Sequence, residues 1–209
     1  MNYAELIAAV QDTTENTFTA DQLALFAEQT EQKVYNAVQI PALRKNMVGN
    51  VSAGVPYLST PPDFLYVYSL AVKQDNGAYE YLINKDVNYI RQAYPFPLAQ
   101  GLPRVYAQFD DDTLIIGPSP DAPYEVEMHF GYYPESIVTA GTSWLGDNMD
   151  SVLLNGMLVE AARFMKSDQD VVALYGQMFT ESVGLLKMLG DGKLRQDAYR
   201  SGQVRVPVQ

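Results

Sequence analysis

The sequence contains no cysteine and a single histidine, His129. Without cysteine there is no disulfide, no thiol nucleophile and no cysteine-ligated zinc. One imidazole also excludes a histidine-rich metal centre and any mechanism that needs two histidines. Serine-hydrolase elbows, phosphate loops and dinucleotide-binding glycine motifs are missing as well. The sequence therefore predicts a structural protein, not an enzyme, with no cofactor and no metal.

Long apolar stretches are also missing. No run reaches the roughly 18 residues that a membrane-spanning helix needs. The first ten residues contain Glu5 and no basic residue ahead of a weak apolar stretch, a pattern unlike that of a secretion signal. We therefore expect no membrane partner.

Acidic residues dominate most of the chain, whose formal net charge is −11. Residues 1–186 hold 9 basic and 23 acidic side chains, whereas residues 187–209 hold 5 basic and 2 acidic ones. The acidic body is predicted to repel nucleic acid, because duplex binding requires clustered lysine and arginine on the phosphates. A short basic tail on such a body favours binding to an acidic protein surface.

Two helices are expected near the start of the chain. The first spans roughly residues 3–11. Thr19 and Gln22 then form the pattern of a capping box, after which apolar residues recur at helical spacing. Glu28, Glu31 and Gln32 are predicted to point outward. Pro41 is predicted to end this second helix.

The middle of the chain has the pattern of β-strands. Residues 64–72 and 79–83 flank Asn76-Gly77, which favours a tight hairpin, and residues 104–109 and 113–116 flank three aspartates. Residues 124–133 alternate strictly, with Val126, Met128 and Phe130 on one face. A short helix is expected at residues 86–94.

Helical spacing returns near the end. Asp147 is predicted to cap one helix and Ser167 the next, and Gly190 to end the second. The second of these helices carries a heptad-like seam, made of Val171, Tyr175, Met178, Ser182, Leu185 and Leu189. We therefore predict an α+β fold, in which an antiparallel helical bundle carries an inserted antiparallel β region and an extended C-terminal arm. The expected boundaries are residues 1–46 and 146–190 for the bundle, 47–145 for the β insertion and 191–209 for the arm.

Two carboxylate groupings require a chemical interpretation. Asp110, Asp111 and Asp112 lack the glycine-spaced pattern of a calcium loop, so an acidic hairpin tip is preferred. Glu125 and Glu127 share a strand face about 7 Å apart, a separation seen in inverting glycosidases. Such a pair is common on a polar strand face, and no nucleophile motif accompanies it. A glycan-cleaving or glycan-binding protein is kept as an alternative.

The order of features resembles the head-to-tail adaptor (connector) proteins of tailed phages. The segments that carry the resemblance are residues 57–65 (YLSTPPDFL), 101–106 (GLPRVY), 113–121 (TLIIGPSPD), 124–134 (YEVEMHFGYYP), 144–148 (WLGDN), 190–193 (GDGK) and 199–202 (YRSG). The resemblance implies a virion protein at the head-tail junction, assembled in the host cytoplasm. It implies a homo-oligomeric ring, commonly of twelve copies, between the portal protein and a tail nozzle or tail tube protein. Double-stranded DNA would pass through the channel without specific binding during ejection.

Two groups of residues are predicted to make the contacts of such an adaptor. The arm is expected to bind the portal through Arg195, Tyr199, Arg200, Val204, Arg205 and Val206, because arginine binds carboxylates in pairs of hydrogen bonds and alternating valines fit strand addition. Polar hairpin tips are expected to face the tail through Asp75, Asn76, Gly77, Asp110, Asp111 and Asp112. Another tail component, such as a nozzle or tube protein, is the main alternative function.

Overall fold

The computed structural model describes residues 1–96 and 99–194. The helices are α1 (Tyr3–Thr14), α2 (Ala20–Ala37), α3 (Val87–Ala93), α4 (Ile137–Ala140), α5 (Trp144–Asn148), α6 (Asp150–Phe164) and α7 (Gln169–Leu194). The strands are β1 (Arg44–Val51), β2 (Tyr57–Ser59), β3 (Phe64–Lys73), β4 (Tyr79–Tyr81), β5 (Ile83–Asn84), β6 (Val105–Asp110), β7 (Thr113–Gly117) and β8 (Tyr124–Tyr132). The predicted α+β fold is confirmed, with an antiparallel-rich β region between the helical segments of the sequence.

The chain forms two compact units. The helical unit comprises Met1–Leu43 and Pro134–Gln209, of which the structure describes residues up to 194, and the β unit comprises Arg44–Tyr133. The sequence places the second boundary after residue 145. The structure instead places residues 134–145 in the helical unit, because Ile137 and Leu145 are fully buried in its core.

In the helical unit, α6 is the central element, and it packs against α1, α2, α5 and α7. Its apolar residues, among them Leu153, Met157 and Ala161, are fully buried. The capping box that the sequence predicts for α2 is present, since Thr19 accepts from the Gln22 amide and Gln22 accepts from the Thr19 amide. Two other predictions are wrong. Asp147 lies inside α5 and does not cap α6, and α2 ends at Ala37, before Pro41.

Glu31 corrects another expectation. The sequence directs it toward solvent, but only 3% of the residue is exposed. Its carboxylate accepts a hydrogen bond of 2.9 Å from the Ile137 amide, at the start of α4. The carboxylate thereby ties α2 to the segment that returns from the β unit. Burial raises the pKa of Glu31, and the two hydrogen bonds from Ser136 and Ile137 offset only part of that effect.

The β unit consists of two four-stranded sheets with the orders β1-β8-β3-β4 and β2-β7-β6-β5. Their inner faces share one core, to which Val126, Met128 and Phe130 of β8 contribute as the alternation predicts. Both predicted hairpins are present. The chain from Tyr79 to Asn84 pairs first with β3 and then with β6, so it passes from one sheet to the other. Strands β1 and β2 were not predicted, because their sequences alternate weakly.

Candidate interaction surfaces

The carboxylates that raised the question of catalysis have structural partners. Glu125 accepts a hydrogen bond of 2.9 Å from the Lys73 ammonium group, and Glu127 accepts one of 2.7 Å from the Asn46 side-chain amide. All four side chains lie on the outward face of the first sheet. Lys73 of β3 lies directly opposite Glu125 of β8, and Asn46 of β1 lies diagonally across from Glu127. Within residues 1–96 and 99–194 no cluster of potential metal ligands occurs. The arrangement is that of cross-strand pairs, which stabilise sheet register.

The one histidine belongs to an aromatic group on the same face, which we call the tyrosine face: Arg44, Tyr66, Tyr68, His129 and Gly131. The Tyr66 and Tyr68 hydroxyls are hydrogen-bonded at 3.0 Å, and the Arg44 guanidinium lies 3.9 Å above the Tyr68 ring. Tyr68 also lies 5.5 Å from the His129 ring. Partial burial, together with the Tyr68 hydroxyl, raises the pKa of Tyr66 to about 12. These side chains therefore largely satisfy one another.

Gly131 explains how Tyr66 lies flat on this face. A Cβ atom at residue 131 would come within 2.7 Å of the Tyr66 ring. The ring thus occupies the space that a side chain would otherwise fill. The sequence carries little sign of this arrangement, because a glycine in an alternating strand does not reveal which ring covers it.

A different kind of surface runs along α7. This helix has 26 residues, and one side packs on α6 through Phe179, Val183 and Leu186. A second side carries large apolar residues that remain exposed, of which Leu174 is 56%, Leu185 61% and Met188 72% accessible. We call this second side the α7 stripe; its members are Val171, Leu174, Met178, Glu181, Leu185 and Met188.

The stripe corrects the heptad seam predicted from the sequence. Tyr175 and Ser182 of that seam turn toward α6, and Ser182 accepts a hydrogen bond of 2.7 Å from the Asn155 side chain. Val171, Met178, Leu185 and Leu189 of the same seam are exposed. Leu174 and Met188 were missed, because the sequence places apolar residues on two adjacent faces of α7 and does not say which face is covered.

Two glycines allow α7 to pack so closely against the rest of the helical unit. A Cβ atom on Gly156 would come within 2.2 Å of the Thr30 methyl group and 3.0 Å of the Phe179 ring, so both α2 and α7 approach α6 there. The sequence predicts that Gly190 ends α7, but α7 does not end there. The helix continues to Leu194 and passes the Gln39 carbonyl oxygen, which would lie 2.8 Å from a Cβ at residue 190.

The two predicted hairpin tips are exposed but are not brought together. The turn at Gln74–Ala78 closes through backbone hydrogen bonds, and Gly77 has a φ of +83°. Residues 74–76 of this turn lie next to Leu102 and Tyr124. The turn at residues 110–112 lies at the far end of β6, about 20 Å along the strand. There the Asp112 amide donates to the Asp110 carboxylate at 3.1 Å.

The family model for the SU10 adaptor protein matches residues 1–207, nearly the whole chain. This chain belongs to the SU10 adaptor protein family. The resemblance to phage head-to-tail adaptors is thereby confirmed, and the adaptor is a structural component of a phage particle. No curated protein matched the sequence.

For this adaptor, the tyrosine face, the α7 stripe and the two turns are candidate contact regions within the described residues. The predicted arm residues, from Arg195 to Val206, lie outside the described residues. The part of the adaptor that the structure does describe contains no helix long and apolar enough to cross a membrane.

Proposed function

We propose that this adaptor is the subunit of a ring between the portal and the tail, and that it binds the portal through its C-terminal segment. The observation that carries the proposal is the α7 stripe, an exposed apolar surface on an otherwise acidic unit. Contiguous exposed apolar surface on a protein is typical of a site that another protein covers. A ring subunit needs such a surface for its neighbours.

The C-terminal segment is the proposed portal contact. Residues 195–209 carry Arg195, Arg200 and Arg205 against one acid, Asp197, and follow directly on the end of α7. A short segment of this composition has too few apolar residues to form a core of its own. Its arginines suit a carboxylate-bearing groove, and Val204 and Val206 suit strand addition.

The acidic body fits a channel through which DNA passes. Residues 1–186 have a formal net charge of −14. A channel lined by them repels the phosphate backbone and keeps the DNA duplex from adhering. Twelve copies, or another number matched to the portal, would close the ring. The turn at residues 110–112 is the proposed tail contact, because it is exposed and lies at one end of the β unit.

Deletion of residues 195–209 tests the portal contact. The cut leaves α7 complete, so the melting temperature should stay within about 2 °C, while binding to purified portal should be lost. Reversal of charge at Arg195 and Arg200 should weaken binding most at low salt, since exposed ion pairs are screened. Full-affinity binding of the truncated adaptor would overturn the docking role.

Replacement of Asp110, Asp111 and Asp112 by serine tests the tail contact. The variant should bind portal normally and fail to attach tails, as counted by electron microscopy of particles. Replacement of Asp75 and Asn76 by serine, in the turn between β3 and β4, is the matched control and should leave both steps intact. Loss of portal binding in the first variant would contradict this orientation.

A further inference from the structure

We propose that the α7 stripe of one adaptor packs head-to-tail on a patch around Phe164 of a second copy. The inference rests on the proposed ring and names its subunit contact. The stripe residues step by three and four, from Val171 to Met188, over about 26 Å of helix. This spacing keeps them on one line, which a partner surface can follow.

The chain's own C-terminal segment is a poor occupant of the stripe. Its large apolar or aromatic side chains are few (Tyr199, Val204, Val206 and Val208), and arginines lie among them. The valines recur every two residues, whereas the members of the stripe recur every three or four, so the two patterns do not match along their length. The stripe therefore favours another adaptor over the segment that follows it.

Glu181 decides how the second copy is oriented. It is the one acidic member of the stripe and lies near its middle, between Met178 and Leu185. A two-fold contact, parallel or antiparallel, would place the two Glu181 carboxylates opposite each other in an apolar seam. Like charges so placed are unfavourable. The contact is therefore heterologous, the kind that generates a ring when the rotation closes.

The surface around Phe164 has the complementary chemistry. Phe164 is 51% exposed and packs edge-on against Phe18 and Phe26, at 6.2 and 5.6 Å between ring centroids. The Arg163 side chain beside it donates to the Glu160 carboxylate at 3.3 Å but remains 57% exposed, so the guanidinium has further donors to offer, and Lys166 is close in sequence. Aromatic edges attract methionine sulfur, and a guanidinium group can pair with Glu181. We call this surface the Phe164 patch.

The α7 stripe cannot cover the Phe164 patch of the same molecule. Phe164 packs toward α2, whereas α7 joins α6 elsewhere, through the Asn155–Ser182 hydrogen bond. Glu181 also lies twelve residues into α7, about 18 Å from the start of that helix, which follows the patch by only a few residues. A contact between Glu181 and Arg163 must therefore join two molecules.

The absence of native cysteine makes a crosslinking test clean. In the full chain, Arg163→Cys and Glu181→Cys together should give a ladder of covalent multimers on mild oxidation at high protein concentration. Each single variant is a control and should remain monomeric on a non-reducing gel. Dimers from Glu181→Cys alone would indicate a two-fold contact, and no ladder from the double variant would mean that the surfaces do not meet. Either result overturns the proposal.

Charge exchange gives an independent measurement. Glu181→Lys and Arg163→Glu should each weaken self-association roughly 3- to 10-fold by sedimentation velocity, and the two together should restore it. Thr180→Lys, exposed on the far side of α7, is the matched control and should have less effect. Unchanged self-association in Glu181→Lys, or no recovery in the double variant, would contradict the pairing of Glu181 with Arg163 and with it the head-to-tail arrangement.

The outcome can be separated from that of the adaptor proposal. A ladder from the double-cysteine variant, combined with no portal binding by the unaltered protein, would leave the subunit contact standing and remove the portal role. Portal binding by the unaltered protein, combined with no ladder from the double-cysteine variant, would support the portal role and remove the proposed subunit contact.

Discussion

The α7 stripe and the tyrosine face both expose large side chains, but they differ in what those side chains already contact. On the tyrosine face, Tyr66 and Tyr68 are hydrogen-bonded to each other and Arg44 covers Tyr68. On the stripe, Leu174, Leu185 and Met188 are more than half exposed. Apolar side chains cannot form hydrogen bonds or ion pairs with their neighbours, so only burial against another surface stabilises them. Exposed side chains that lack hydrogen-bond or ring contacts with their neighbours therefore indicate an interaction surface better than exposure alone does.

The largest effect is expected from the glycine that lets α7 reach its position. Gly156→Val would place side-chain atoms on Thr30 and Phe179, so the helical unit should lose on the order of 3 kcal/mol of stability. This loss of stability is measured by urea unfolding, monitored by far-ultraviolet circular dichroism. Gly184→Ala, where no atom lies within 4 Å, is the control and should gain up to about 1 kcal/mol. An equal loss in both variants would contradict close packing at Gly156.

The corresponding glycine of the β unit should matter less, because a ring at the surface can move. Gly131→Ala should displace the Tyr66 ring and cost about 1–2 kcal/mol. It should also lower the pKa of Tyr66 from about 12 toward that of an ordinary tyrosine, which ultraviolet titration detects. Gly49→Ala, on β1 with no atom within 4 Å, should change neither quantity. An unaltered titration in Gly131→Ala would mean that the glycine does not support the tyrosine face.

Glu31 gives a pH-dependent effect that is confined to the helical unit. Because burial raises its pKa, its contribution to stability is present below the ordinary pKa of about 4.5 and is lost as pH rises through the raised value. Glu31→Gln keeps an oxygen that accepts from the Ile137 amide and removes the buried charge. The variant should therefore be at least as stable as the native protein at pH 7, and this advantage should disappear below pH 4. Thermal melts across this range measure it, and a loss at pH 7 would show that the charge is needed.

The smallest effect on folding is expected on the stripe itself. Leu185→Gln with Met188→Gln should change the stability of the monomer by less than about 0.5 kcal/mol. The adjacent buried residue provides the contrast, since Leu186→Ala should cost about 2–5 kcal/mol. Both are measured by urea unfolding at low protein concentration. A stripe variant as unstable as Leu186→Ala would mean that the stripe is covered within one chain.

Much of the fold could be predicted because its signals are local. The Thr19–Gln22 capping box, the turn at Asn76-Gly77 and the alternation along β8 each depend on neighbours within a few residues. The candidate surfaces were predicted less completely. The sequence indicated an apolar seam on α7, but it combined buried Ser182 with exposed Leu185.

The sequence by itself determined the composition of this adaptor, its acidic body, the helices and hairpins with strong local signals, and the family resemblance. Only the tertiary structure decided that Glu31 is buried, that α7 passes Gly190, and which side of α7 remains bare. Each of these depends on a group distant in sequence: the Ile137 amide for Glu31, the Gln39 carbonyl for Gly190 and Asn155 for α7. The free energy of burial depends on contacts between residues that are distant in sequence, so it cannot be predicted from the periodicity of one segment.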